Sequence, residues 1–199
     1  MNRNRLATVG AAAAVVFLSA FGAEAQQPEM TAEQKAEMEA YRKAGTPGAP
    51  HQAMAASVGT YDAKVKSWHE PGGPPTEETA TVTRSMALDG RVLVEDFKGS
   101  MMGMPFTGRG MRGYDNVTGK YWSTWMDSMS TGIMVSEGTC DAKNACSFKG
   151  SWNDPVKKGP VTARMTSHWT SPTTEVFEMH GPGRDGKEMK MMEITYIKK

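Results

Sequence analysis

The side chains that could do chemistry in this sequence fall into a few small sets. There are four histidines (His51, His69, His168 and His180), seventeen methionines and two cysteines, Cys140 and Cys146. One arginine and one glutamate, Arg84 and Glu95, flank an Asp-Gly turn. No set spells a catalytic motif. A Gly-x-Ser-x-Gly elbow is absent, and the histidines lack serine and aspartate partners at triad spacing. Gly108 and Gly110 precede no helical pattern, so they are not a nucleotide-binding loop. Paired carboxylates and zinc-ligand spacing are also missing, so the sequence assigns no catalytic residue and no metal ligand.

Each set has a bland and a sharp reading. A haem site needs a buried axial histidine, and His180, closing a strand beside Gly181-Pro182-Gly183, is the one candidate. His51 and His69 lie beside proline-rich connections, and His168 shares a polar strand face with Thr162, Arg164 and Thr166. Met101, Met102 and Met104 cluster before Pro105, with Met126, Met129 and Met134 following. Soft thioethers select Cu(I). The same residues are adaptable lining for an apolar cavity. Cys140 and Cys146 bracket a five-residue loop, Asp141 to Ala145. Two cysteines at facing strand ends read as a disulfide.

The Arg–Glu pair follows from register. Asp89-Gly90 between alternating residues predicts a two-residue hairpin turn. That turn sets Val82 opposite Phe97, Arg84 opposite Glu95 and Met86 opposite Leu93. All six side chains point to one side, because strand side chains alternate. An otherwise apolar face therefore carries one charged pair.

Composition frames these elements. The chain has 199 residues, 39% hydrophobic and 23% charged, as expected of a folded domain with a leader. Residues 1–25 read as a secretory signal peptide: basic Arg3 and Arg5, an apolar run from Ala11 to Phe21, and an Ala23-Glu24-Ala25 cleavage site. The apolar run is shorter than the ~20 residues a spanning helix needs, and no second apolar stretch could span a bilayer, so no membrane span is expected after leader removal. A periplasmic or secreted location follows. Formal net charge is +1. Arg3 and Arg5 against Glu24 give the leader +1, leaving the remainder at zero. A neutral chain has no electrostatic footprint for nucleic acid.

Residues 26–50 read as a polar helix and linker. Thr31 and Gln34 form a capping box, and the helix runs to about Ala44 with Met38 and Tyr41 as its apolar pair. Gly45 to Pro50 reads as a flexible linker. A short helix from about Pro50 to Val58 places Met54 and Val58 on one face. Residues 51–199 form the β domain. Strands are expected near 60–69, 76–87, 91–98, 105–114, 120–127, 132–140, 146–152, 160–170, 174–180 and 187–197. Short connections between them imply an all-β, up-and-down antiparallel barrel of about ten strands with a short N-terminal helical segment. In Met101 to Trp125, glycines 108, 110 and 113 face an aromatic strand with Tyr121, Trp122 and Trp125. Glycines in strands mark bends or close approach.

The stretch MGMPFTGRGMRGYDNVTGKYWSTWMDSMSTGIMVSEGT resembles the signature of a bacterial family known as domain of unknown function 1579. The resemblance extends to Thr83–Met86, Glu95–Gly99, Phe177–Met179 and Lys190–Tyr196. It implies a calycin-type (lipocalin-like) β-barrel and brings no activity, cofactor or site residues. The cysteine hairpin is not part of that pattern.

Two readings of function remain. One is a binding module that holds a small apolar or amphipathic, lipophilic molecule, with Arg84, Glu95, Phe106, Tyr121 and Trp125 as candidate ligand-binding residues. There the glycines leave room, and an anionic head group displaces Glu95 from Arg84. The other is a structural or interaction protein with a filled barrel. Copper handling by methionines is a third possibility. The volume left inside the barrel separates the first two.

Overall fold

The computed structural model describes residues 29–199, so the signal-peptide reading of residues 1–25 lies outside the described residues. Two helices, α1 (Ala32–Gly45) and α2 (Ala49–Ala55), precede ten strands. The strands are β1 (Gly59–Ser67), β2 (Thr76–Ala87), β3 (Val92–Met101), β4 (Met104–Asp115) and β5 (Lys120–Asp127). They continue as β6 (Met134–Cys140), β7 (Cys146–Asp154), β8 (Gly159–Ser171), β9 (Thr174–Pro182) and β10 (Glu188–Lys198). Each pairs antiparallel with its sequence neighbour, and β1 pairs with β10 to close the barrel. Closure leaves no sheet edge to template pairing with another chain.

Alternation sets what points inward. On β1, Tyr61, Ala63 and Val65 are buried while Asp62 and Lys64 are exposed. The β2–β3 register matches the one read from Asp89-Gly90: Val82 faces Phe97, Arg84 faces Glu95 and Met86 faces Leu93. Leu88 also joins the turn in the left-handed region, at φ 51°. The β3–β4 hairpin turns on Met102 and Gly103, both with positive φ.

The glycines of β4 make room for tryptophans. A Cβ on Gly108 would lie 2.3 Å from the Trp125 ring, and one on Gly113 equally close to the Trp122 ring. These two glycines therefore leave no ligand space; tryptophan already occupies it. Trp125 packs with Phe97 and Phe106, at ring-centroid separations of 6.0 and 6.5 Å.

The helices differ in role. α1 carries the expected capping box between Thr31 and Gln34 and buries no residue. Its C-terminal end is nonetheless tied down. Asn116 Nδ2 donates to the Ala44 and Thr46 carbonyls, and Arg91 donates to the Gly45 carbonyl from Nε and Nη2. The Gly45–Pro50 segment is thus held by the β2–β3 and β4–β5 turns rather than being a free linker. A cation on these carbonyls also complements the helix dipole. α2 plugs one end of the barrel. Met54 is buried with Leu93, Tyr121 and Phe148, and His51 packs edge-on against Tyr114. Val58 does not share that face: α2 ends at Ala55, and Val58 is 37% exposed. Cys140 and Cys146 are directly opposed across β6 and β7 and bonded. A loop this short gains about 2 kcal/mol from cross-linking in the chain-entropy picture. Among the described residues, no helix is long and apolar enough to cross a membrane.

Candidate functional site: the barrel cavity

Two clusters of buried side chains divide the interior. One, around Tyr61, Val82, Phe97, Phe106, Ile194 and Tyr196, forms a wall. The other, around Met54, Tyr121, Phe148 and Met165, fills the end beneath α2. Between the first cluster and the opposite end lies a cavity of about 520 Å³. Its mouth is bordered by the β5–β6 loop, where Ser130, Gly132 and Ile133 are exposed. Its walls include Phe97, Phe106, Trp125, Phe177, Met192 and Ile194.

Deep in the cavity sits Arg84, 7% exposed. Its Nε donates to Glu95 Oε2 at 2.7 Å, and its Nη1 donates to Glu175 Oε2 at 2.6 Å. The guanidinium also lies over two tyrosine rings, 4.7 Å from the Tyr61 centroid and 4.5 Å from that of Tyr196. Burial alone would disfavour the charge; Glu95 and Glu175 more than offset it and hold Arg84 well above its ordinary pKa. Burial, then the charge of Glu95, pushes the Tyr196 hydroxyl well above its usual value. Arg84 is therefore a tie between β2, β3 and β9, with two of its five N–H donors given to buried carboxylates.

The next inward position along β4 after Gly110 is Arg112, which faces Leu93 on β3 and Ser123 on β5. It lines the cavity and lies over the Phe148 ring at 5.1 Å. Among the described residues it has no ion-pair partner. Ser123 and Ser136 continue the same row, with their hydroxyls 2.5 Å apart.

A family model described as "Protein of unknown function (DUF1579)" matches residues 46–198. The chain belongs to this family. No curated protein matches it. Among solved structures, the DUF1579 chain is similar to one described as Rv2717c from M. tuberculosis, with TM-score 0.57 and 12% identity. That match covers 77% of this chain and 99% of the other, and at such identity it shows the fold alone. A DUF3598-family protein of unknown function from Nostoc punctiforme aligns at 6% identity over 77% of this chain and all of its own, with TM-score 0.22. That value carries no argument.

Four of the five residues picked from the sequence line the DUF1579 cavity: Arg84, Glu95, Phe106 and Trp125. Tyr121 does not. It is packed between Tyr114 and Phe148 in the plug beneath α2. Two residues escaped the sequence reading. Glu175 lies 91 positions from Arg84 and meets it only because the barrel closes. Arg112 was legible in principle, since extending the hairpin register across β4 puts it on the inward face with Gly108 and Gly110. His180 points outward beside Arg164 and lines no part of the cavity, so the haem reading loses its axial candidate. Of the first methionine cluster, Met101 lines the cavity while Met102 and Met104 are exposed at the turn. Among the described residues, no three His, Cys, Asp or Glu side chains are grouped to hold a metal ion.

Proposed function

We propose that this protein works outside the cytoplasm as a barrel that binds a small, largely apolar or amphipathic molecule. The observation that carries the reading is the cavity: about 520 Å³, walled by Phe97, Phe106, Trp125 and Phe177, with charged groups at one end. Pockets of this size and make-up suit small ligands: apolar walls supply affinity and a few polar groups supply orientation. A barrel kept solely as a structural piece gains nothing from such a void, because unfilled interior volume forfeits packing contacts. The Ala11–Phe21 leader pattern and the Cys140–Cys146 bond support export, since disulfides persist in oxidising compartments.

The test is fluorescence titration of protein purified from the periplasm with a polarity-sensitive dye and a panel of fatty acids and fatty alcohols. Saturable binding, with a tryptophan signal that is lost in Trp125→Phe, is the expected result. Wild-type protein that binds none of the panel refutes the reading. Intact mass of the same preparation should show a chain starting at Gln26 with no alkylatable thiol.

A further inference from the structure

We propose that Arg112 anchors the anionic head group, best matched by a carboxylate, of the molecule held in the cavity; this rests on the small-molecule reading above. Five charged side chains line the cavity: Arg84, Glu95, Arg112, Asp127 and Glu175. Three of them satisfy one another, since Arg84 bridges Glu95 and Glu175. Asp127 accepts from the Trp125 indole N–H at 2.8 Å and from the Met129 backbone N–H at 2.9 Å. Arg112 alone among them has no ion-pair or side-chain hydrogen-bond partner among the described residues; its guanidinium lies over the Phe148 ring face.

The Arg84 cluster sets one cation against two carboxylates, so it carries one negative charge in excess. Glu95 faces Gly110, the inward neighbour of Arg112 on β4. Arg112 stands one inward row further along β4 and gives that cluster none of its N–H donors. A guanidinium presents five donors in a rigid planar fork that matches a carboxylate bidentately. Ser123, directly across from Arg112 and also lining the cavity, adds a hydroxyl beside the fork. Ser136 sits behind Ser123 and fixes its hydroxyl from the next strand.

The arrangement also explains why Arg84 is not the receptor. A ligand taking the Nε or Nη1 donor of Arg84 competes with Glu95 or Glu175, and a carboxylate displaced there is left buried without a counter-ion. A ligand reaching Arg112 breaks no ion pair or side-chain hydrogen bond among the described residues. The apolar body then extends toward the mouth, past Trp125 and Met101.

The experiment compares dodecanoate with dodecanol, which share a chain and differ in head group, by isothermal titration. Wild type should bind dodecanoate about ten- to a hundredfold tighter than dodecanol, the range for a hydrogen bond to a charged group. Arg112→Met should abolish the preference while keeping dodecanol affinity, which also reports that the variant is folded. Arg112→Gln, which keeps a polar side chain in the row, serves where the methionine variant does not fold. If the preference survives in both variants, or wild type shows none while binding both probes, the role of Arg112 is overturned and the cavity reading stands. If wild type binds neither probe but binds another member of the dye and lipid panel, the role of Arg112 falls and the cavity reading stands; if it binds nothing in the panel, the cavity reading falls as well.

Discussion

Arg84→Met is the most informative single perturbation of this fold. The substitution keeps most of the side-chain volume and removes the charge. Two charge-assisted hydrogen bonds, at 2.7 and 2.6 Å, are lost. The carboxylates left behind are 18% and 5% exposed, so water replaces the guanidinium poorly. Breaking a buried pair by deleting one partner costs about 3–5 kcal/mol. Two orphaned carboxylates and the lost contacts with Tyr61 and Tyr196 place this case at the upper end, near 5 kcal/mol. Small domains are stable by only about 5–15 kcal/mol. The variant should therefore lose a third or more of its stability. Urea unfolding followed by tryptophan fluorescence reads this directly. The reasoning has an internal control: Arg84→Met with Glu95→Gln and Glu175→Gln removes all three charges. That triple variant should recover at least half of the loss, because neutral amides need no counter-ion. A single variant that loses less than about 1 kcal/mol, or a triple variant less stable than the single, would refute the assignment of Arg84 as a buried tie.

Three further outcomes follow from particular contacts. Gly108→Ala puts a Cβ 2.3 Å from the Trp125 ring and should cost about 1–3 kcal/mol by overpacking, with part of that loss removed by Trp125→Phe in the same chain. Leu88 is 70% exposed at φ 51°, so Leu88→Gly should raise stability by about 0.5–1 kcal/mol in thermal unfolding; a loss would show that the Leu88 side chain packs usefully. Burial lowers the His51 pKa from 6.5, with the Tyr114 backbone opposing and Arg91 adding to it. The unfolded chain then binds the proton more readily, so stability from His51 is present above pH 6.5 and is lost as pH falls below it toward the lower folded value. Protection factors in α2, taken against the intrinsic exchange rate at each pH, should fall over that window in wild type and lose this dependence in His51→Gln.

The strand order and the β2–β3 register were legible from the chain alone because both rest on local rules. Alternation has a period of two, and Asp89 and Gly90 supply positive φ at a turn that Leu88 also enters without changing the register. The cysteine bridge was legible for the same reason: Cys140 and Cys146 end facing strands one turn apart. The space opposite the glycines was harder. That Trp125 and Trp122 lie over Gly108 and Gly113 follows from β4–β5 register, but whether any room remains depends on ring orientation, which sequence does not encode locally.

What only the tertiary structure decided involves pairs distant in sequence. Glu175 meets Arg84 across the closed barrel, through β9, β10, β1 and β2, and this turns the expected ligand-facing arginine into a committed one. Met54 and Tyr121 meet beneath α2, which makes Tyr121 part of a plug rather than a wall. Arg112 is the cavity cation left without an ion-pair partner among the described residues, once every other charged group lining the cavity has been matched to its own. Local patterning specifies which face of a strand a side chain takes. Closure of the sheet specifies which side chains share the enclosed volume, and so which charges in it find partners there.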